Sequence, residues 1–245
     1  MAKSTTYYLR KSHRWLGVII GIQFLAWTVS GLYFSWNDID EIHGDHLRNF
    51  PQPDIEIQGV ISPSQIAVFS DTSLTIEKVE LIELFDNPYF RIEWSSDDKT
   101  NIGLFDATSG DLREPLTKQE AMTLADRQFR PTADILEANY LTRVPDAHEY
   151  RGQPLPAWQI VYNDDAETRV YVSTELGEVI RFRTQRWRWF DWLWMWHIMD
   201  YDQRDDFNNA LIKSFSVLGL VTVLSGFVLF GATSRVRKKR KRGRS

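Results

Sequence analysis

The chain has 245 residues, 43% of them hydrophobic and 25% charged, with a formal net charge of -4 and no cysteine. That length accommodates one or two domains with a core of their own. The missing cysteines exclude a disulfide scaffold, thiolate catalysis and Cys-ligated zinc or iron–sulfur centres. The small net charge conceals a segregation. All 33 acidic residues fall between Asp38 and Asp206, while Lys3, Arg10, Lys11 and Arg14 precede the first apolar run and eight more Lys and Arg crowd residues 235–244. Residues 37–207 carry a charge of −17, and the two ends are purely basic.

Residues 1–15 form a short basic N-terminus, followed by Leu16–Trp36, 21 residues without a formal charge. This run is long enough to cross a hydrocarbon core of about 30 Å as a helix. Bulky Leu32, Tyr33, Phe34 and Trp36 occupy its exit side where a cleaved leader would have small residues, so it reads as an uncleaved anchor. On a helix, His13, Gly17, Ile20, Gly21, Phe24, Thr28 and Gly31 share a face. Its Gly17-xxx-Gly21 pair forms a groove that admits a second helix or a flat ring. Residues 37–61 are an acidic, Pro-containing linker; His43 and His46 within it are read as solvated polar residues, and no metal site is expected.

The middle of the chain repeats itself. Residues 62–115 run from a helical SQIAVF through strand-like LTIEKVELIEL and FRIEW to IGLFDATSGDL. Residues 116–185 follow the same order: helical KQEAMTLADRQF, then YLTRV, AWQIVY and TRVYVSTELGEVIRF. Asp97-Asp98 aligns with Asp164-Asp165, and Gly110 with Gly177, at an offset of 67, while the helix starts align at 54, so the second copy carries 13 extra residues. Strands separated by Asp-rich and Gly turns are the pattern of antiparallel hairpins.

Residues 186–207 hold the densest aromatic cluster, WRWFDWLWMW at 187–196, followed by His197. Tryptophan favours the head-group zone of a bilayer, and Trp15, Trp36, Trp187, Trp189, Trp192, Trp194 and Trp196 are the expected interface residues. In the acidic string that follows, Asp205 or Asp206 is expected to cap the next helix. Residues 208–232 contain the second uncharged run, Ser214–Ala232, whose Gly219 and Gly226 mirror the first groove; a basic tail fills 233–245. Basic flanks outside both runs place both termini in the cytoplasm. Next to a span, such a tail reads as an anchor for anionic lipid, not a nucleic-acid site.

The opening KSHRWLGVIIG, the doubled domain with its YVSTELGEVIRF ending, and the closing WLWMWHIMDY before VLSGFVLF together resemble the PepSY-associated transmembrane family across nearly the whole chain. The resemblance implies an α+β architecture: two transmembrane helices flanking an extracytoplasmic domain of two PepSY-like helix-plus-antiparallel-sheet repeats. It also implies a bacterial inner-membrane location with the domain in the periplasm. Family roles are tied to peptidase propeptides or inhibition and, in members with more spans, to haem-dependent reduction of iron–siderophore complexes.

Two functions follow as expectations. The first is a non-catalytic envelope protein whose periplasmic domain binds or modulates a membrane or periplasmic protein partner, a second copy of the chain included. The alternative is a haem-binding subunit of a transmembrane redox complex, with His13 and His197 as candidate ligands. These two lie near opposite faces of a span of about 30 Å and cannot serve one iron within one chain. Haem is the cofactor considered, and no catalytic residue is assigned because no P-loop, G-x-G-x-x-G, G-x-S-x-G or H-E-x-x-H motif occurs.

Overall fold

The computed structural model describes residues 5–50, 59–66, 74–96 and 99–242, with side chains at the two ends described from Tyr7 to Thr233. The chain divides into a helical unit, Met1–Asp38 with Trp189–Ser245, and a sheet unit, Ile39–Arg188.

The helical unit contains α1 (Thr5–Trp36), most of α4 (Gln185–Ile198) and α5 (Ala210–Arg242). Tyr7–Trp36 and Ala210–Thr233 are long and apolar enough to cross a membrane. The buried and half-buried residues of α1 include His13, Leu16, Ile20, Gln23, Trp27, Ser30 and Phe34, spaced alternately three and four apart. Along α5 the same spacing picks out Ile212, Phe215, Gly219, Thr222, Gly226 and Leu229. A 3–4 alternation is the narrow seam of two helices packed at a shallow angle. Phe24 and Ile20 pack on Gly219 while His13 packs on Gly226, so α1 and α5 run antiparallel. Outside the seam both helices stay bare: Ile22, Leu25, Val29, Leu220, Phe227 and Phe230 are all exposed.

The sheet unit is built on two antiparallel sheets, giving an α+β chain overall. The first has the order β1 (Thr75–Leu84), β2 (Asn87–Ser96), β3 (Lys99–Asp106). The second has the order β4 (Ile135–Leu141), β5 (Ala157–Tyr162), β6 (Arg169–Ser173), β7 (Glu178–Arg183). Helix α3 (Lys118–Gln128) packs on the second sheet through the buried Ala121 and Ala125. It starts where the sequence offers a capping box: Thr117 accepts from the Glu120 amide, and the Glu120 side chain accepts from the Thr117 amide. Leu84 and Leu104 of the first sheet join Ile160, Val170, Val172 and Phe182 of the second in one core. Full burial of such a side chain contributes about 2 kcal/mol. Gly177 is required at the joint, because a Cβ there would lie 2.7 Å from Leu104 and its φ is +62°. Arg91 ties the sheets a second time, pairing with Glu80 on β1 and Glu178 on β7.

Most strands fall on the strand-like segments, but the segment YLTRV is an exception. β4 begins at Ile135 and ends at Leu141, so only Tyr140 and Leu141 of that segment are in it. A register shift between Ile135 and Glu137 breaks the period-2 signal along β4. β1 and β2 are joined by two residues, Phe85 and Asp86, both at positive φ, as a tight hairpin demands. β4 and β5 are joined by fifteen, Thr142–Pro156. Of the segment SQIAVF, residues 64–66 are described, with Pro63–Gln65 a single 3-10 turn. Its remainder and the Asp97-Asp98 turn lie outside the described residues.

Candidate functional site

Within the helical unit, the polar residues of the seam cluster around the two histidines. The Ser225 hydroxyl donates to the Thr222 carbonyl (2.8 Å), which leaves its oxygen to accept from His13 Nδ1 (2.7 Å). The same device recurs at the other histidine. Ser30 donates to the Ala26 carbonyl (2.8 Å) and accepts from His197 Nδ1 (2.7 Å). With Nδ1 carrying the proton in each ring, Nε2 holds the lone pair. His13 and Ser30 stand 17 positions apart on α1, about 25 Å at ~1.5 Å per residue. The two imidazoles therefore occupy separate places, as the sequence requires of them.

Gln23 and Trp27, which no sequence signal singles out, explain how α4 is seated on α1. The last carbonyls of a helix have no partner within it. Gln23 donates to the Trp196 carbonyl (3.1 Å), Trp27 Nε1 to the His197 carbonyl (2.7 Å), and the Asn209 amide to the Ile198 carbonyl (2.9 Å). An apolar helix carries a glutamine here because the end of α4 needs a donor. Asn209 also accepts from the Ile212 amide and so caps α5, the role expected of Asp205 or Asp206. Asp200 instead gathers the amides of Asp202, Gln203, Asp205 and Asp206.

The aromatic rings of α4 sort into two stripes. Phe190, Trp194 and His197 pack on Phe34 of α1, with centroids 4.8 to 6.0 Å away. Trp189, Trp192 and Trp196 line the opposite side at 54%, 45% and 38% exposure. Trp15 and Trp36 are exposed on α1. Trp187 departs from the expected interface group. It is 7% exposed, enclosed in the sheet unit beneath the Arg183 guanidinium at 4.2 Å. The glycines also divide. Gly219 and Gly226 meet α1, whereas a Cβ at Gly17, Gly21 or Gly31 would touch nothing within 4 Å. The packing role expected for these three is not met by α5: the wide side chains Ile20, Phe24 and His13 fill the gaps of α5, and the α1 groove faces away.

In the sheet unit the fifteen-residue loop carries a polar cluster that the sequence does not announce. Glu149 is 8% exposed, and its carboxylate accepts from the Tyr171 hydroxyl (2.7 Å), Arg188 (3.1 Å) and Arg169 (3.2 Å). Burial alone would raise its carboxyl; the Tyr171 hydroxyl and the two guanidiniums override this and hold it below the usual carboxylate range. Tyr150 stacks on Tyr171 with centroids 4.6 Å apart, and Arg183 donates to the Glu149 carbonyl (3.0 Å). Arg188 lies in the first turn of α4 and also reaches the Glu167 carbonyl (2.7 Å). Each side chain in this cluster is partnered by another, so the cluster acts as a brace which fixes the loop and the start of α4. Glu149, Arg169 and Arg188 are 19 or more residues apart and have no motif to betray them; the one available signal is the length of the loop.

No protein-family model, no curated protein and no solved structure matches the chain.

Proposed function

We propose that this chain is a two-span protein of the bacterial inner membrane, with cytoplasmic termini and a periplasmic PepSY-type domain. That domain binds or modulates a protein partner and performs no catalysis of its own. The observation that carries the reading is the apolar surface of the helical unit. α1 and α5 bury one narrow seam and leave the remaining faces, rich in Leu, Val, Ile and Phe, uncovered. Water does not tolerate an apolar patch of that extent, whereas a bilayer matches it in thickness and chemistry. The exposed Trp189, Trp192 and Trp196 suit the head-group layer, and the basic flanks favour the cytoplasm. Support for a doubled domain comes from the turns. Asp106 accepts from the Thr108 and Ser109 amides before Gly110, and Ser173 accepts from the Leu176 amide before Gly177, at the same offset of 67. Purification of the full chain from its native membrane in mild detergent, after crosslinking in cells, tests the reading. A stoichiometric partner crosslinked to residues 62–185 is expected, and a chain crosslinked only through α1 and α5 would contradict it.

A second reading is favoured by the Ser-buttressed histidines. A histidine whose Nδ1–H is held by a neighbour presents a fixed Nε2, as metal-ligating imidazoles do. His13 and His197 would each help to hold a separate haem together with residues of another chain, and the haem would supply one-electron transfer. Detergent-purified protein from haem-sufficient cells would then show a Soret band that His13→Ala and His197→Ala each diminish. A colourless preparation, unaltered by added haem, would reject this reading and leave the first intact.

A further inference from the structure

A cavity of about 330 Å³ lies in the sheet unit between strand β7 and the turn that follows α2 (Ile39–His43). The turn comes this close because Gly44 sits at φ +83°, where a Cβ would lie 3.1 Å from Phe182. The cavity is lined by Arg48, Arg181, Arg183 and His43, with Asp45 the one acidic residue in its lining. This is an unusual gathering of positive charge in a segment whose net charge is −17.

The three arginines are held in place by neutral acceptors. Arg48 donates to the Val179 carbonyl (3.0 Å) and the Gln128 side chain (3.3 Å). Arg183 donates to the carbonyls of Glu149 and Phe182, both at 3.0 Å, and Arg181 to that of Ile180 (2.9 Å). Among the described residues none of the three forms an ion pair. A guanidinium has five donors, so each retains N–H groups for a ligand. Burial pulls Arg48 below its usual range and Arg183 down to about 10, and Arg181 adds to both depressions. Asp45 and Glu178 offset part of this at Arg48, and Glu149 part of it at Arg183. Like charges held together in partial burial are stabilised by an anion placed among them.

We propose that this cavity binds a small oxyanion, a phosphate or carboxylate group, on the Arg48, Arg181 and Arg183 guanidiniums. Guanidinium forks match the oxygen spacing of both groups, and the volume falls at the lower end of small-molecule pockets. The site goes beyond the proposed function, since it depends on the sheet unit alone and stands whichever way the helices lie.

Calorimetric titration of the full chain in a neutral maltoside tests it, with inorganic phosphate, citrate and monomeric short-chain phosphatidylglycerol as separate probes. Saturable binding of at least one probe is expected, weakened tenfold or more by Arg181→Ala and by Arg48→Ala. Arg143→Ala, at an exposed arginine of the β4–β5 loop, should leave it unchanged. Arg48 also anchors β7, so Arg181→Ala is the decisive variant: its side chain is exposed and reaches only the neighbouring Ile180 carbonyl. Binding of phosphate or citrate assigns a soluble ligand, and binding of phosphatidylglycerol alone assigns a lipid head group to the same chemistry. Absence of saturable binding by every probe, or equal weakening by all three variants, would overturn the proposal.

Discussion

Glu149 shows how much a single buried charge holds together. Replacing it with Gln leaves Arg169 and Arg188 without their counter-charge and costs about 3 kcal/mol in denaturant unfolding of the sheet unit. The folded protein binds a proton at Glu149 less readily than the unfolded chain does, because its carboxyl is held below the usual range. Its contribution is therefore complete above pH ~5 and is lost as pH falls through the folded value. Stability measured from pH 7 downward should decline more steeply in the wild type than in Glu149→Gln; parallel curves would show that the carboxylate is not what braces the loop. None of this is legible in sequence, because the partners are brought together by the sheet and not by spacing. His13 and His197 are easier to find: one shares a helical face with the glycines of the first apolar run, and the other closes the aromatic run at 187–196. Their serine partners are not, since Ser225 is 212 residues from His13 and Ser30 is 167 from His197.

Between elements, the seam of α1 and α5 reverses an expectation drawn from small residues. The sequence shows a glycine groove on α1 and another on α5, but which groove receives the opposing helix depends on the rotation of each helix about its axis. Gly219 lies 3.1 Å from Phe24 and Gly226 3.3 Å from His13, measured from the Cβ each lacks. Gly219→Leu should therefore overfill the seam and cost about 1–3 kcal/mol in detergent-based unfolding. Gly17→Ala and Gly21→Ala should be neutral or slightly stabilising, because alanine meets nothing there and suits a helix better. The reverse order of effects would mean that the α1 groove packs a helix. The strands illustrate a second limit of local pattern. The apolar, β-prone segment AWQIVY reveals β5 at its observed ends, Ala157–Tyr162, whereas the register shift in β4 hides that strand.

At the scale of the whole molecule, the segregation of charge and the two uncharged runs outline the architecture before any contact is known. Two long apolar helices are what those features lead one to expect, and the α+β class is what the resemblance implies. The cavity lined by Arg48, Arg181 and Arg183 is not foreseen, because its residues are scattered through an acidic segment and meet only when α2 docks on β7. The two-span arrangement is tested most directly by labelling single cysteines, which the native chain lacks. Lys99→Cys lies on the exposed start of β3, and Ser245→Cys at the C-terminus. Lys99→Cys should react with a membrane-impermeant maleimide in intact spheroplasts, and Ser245→Cys only after the membrane is permeabilised. Labelling of Ser245→Cys in intact spheroplasts, or protection of Lys99→Cys until permeabilisation, would contradict it.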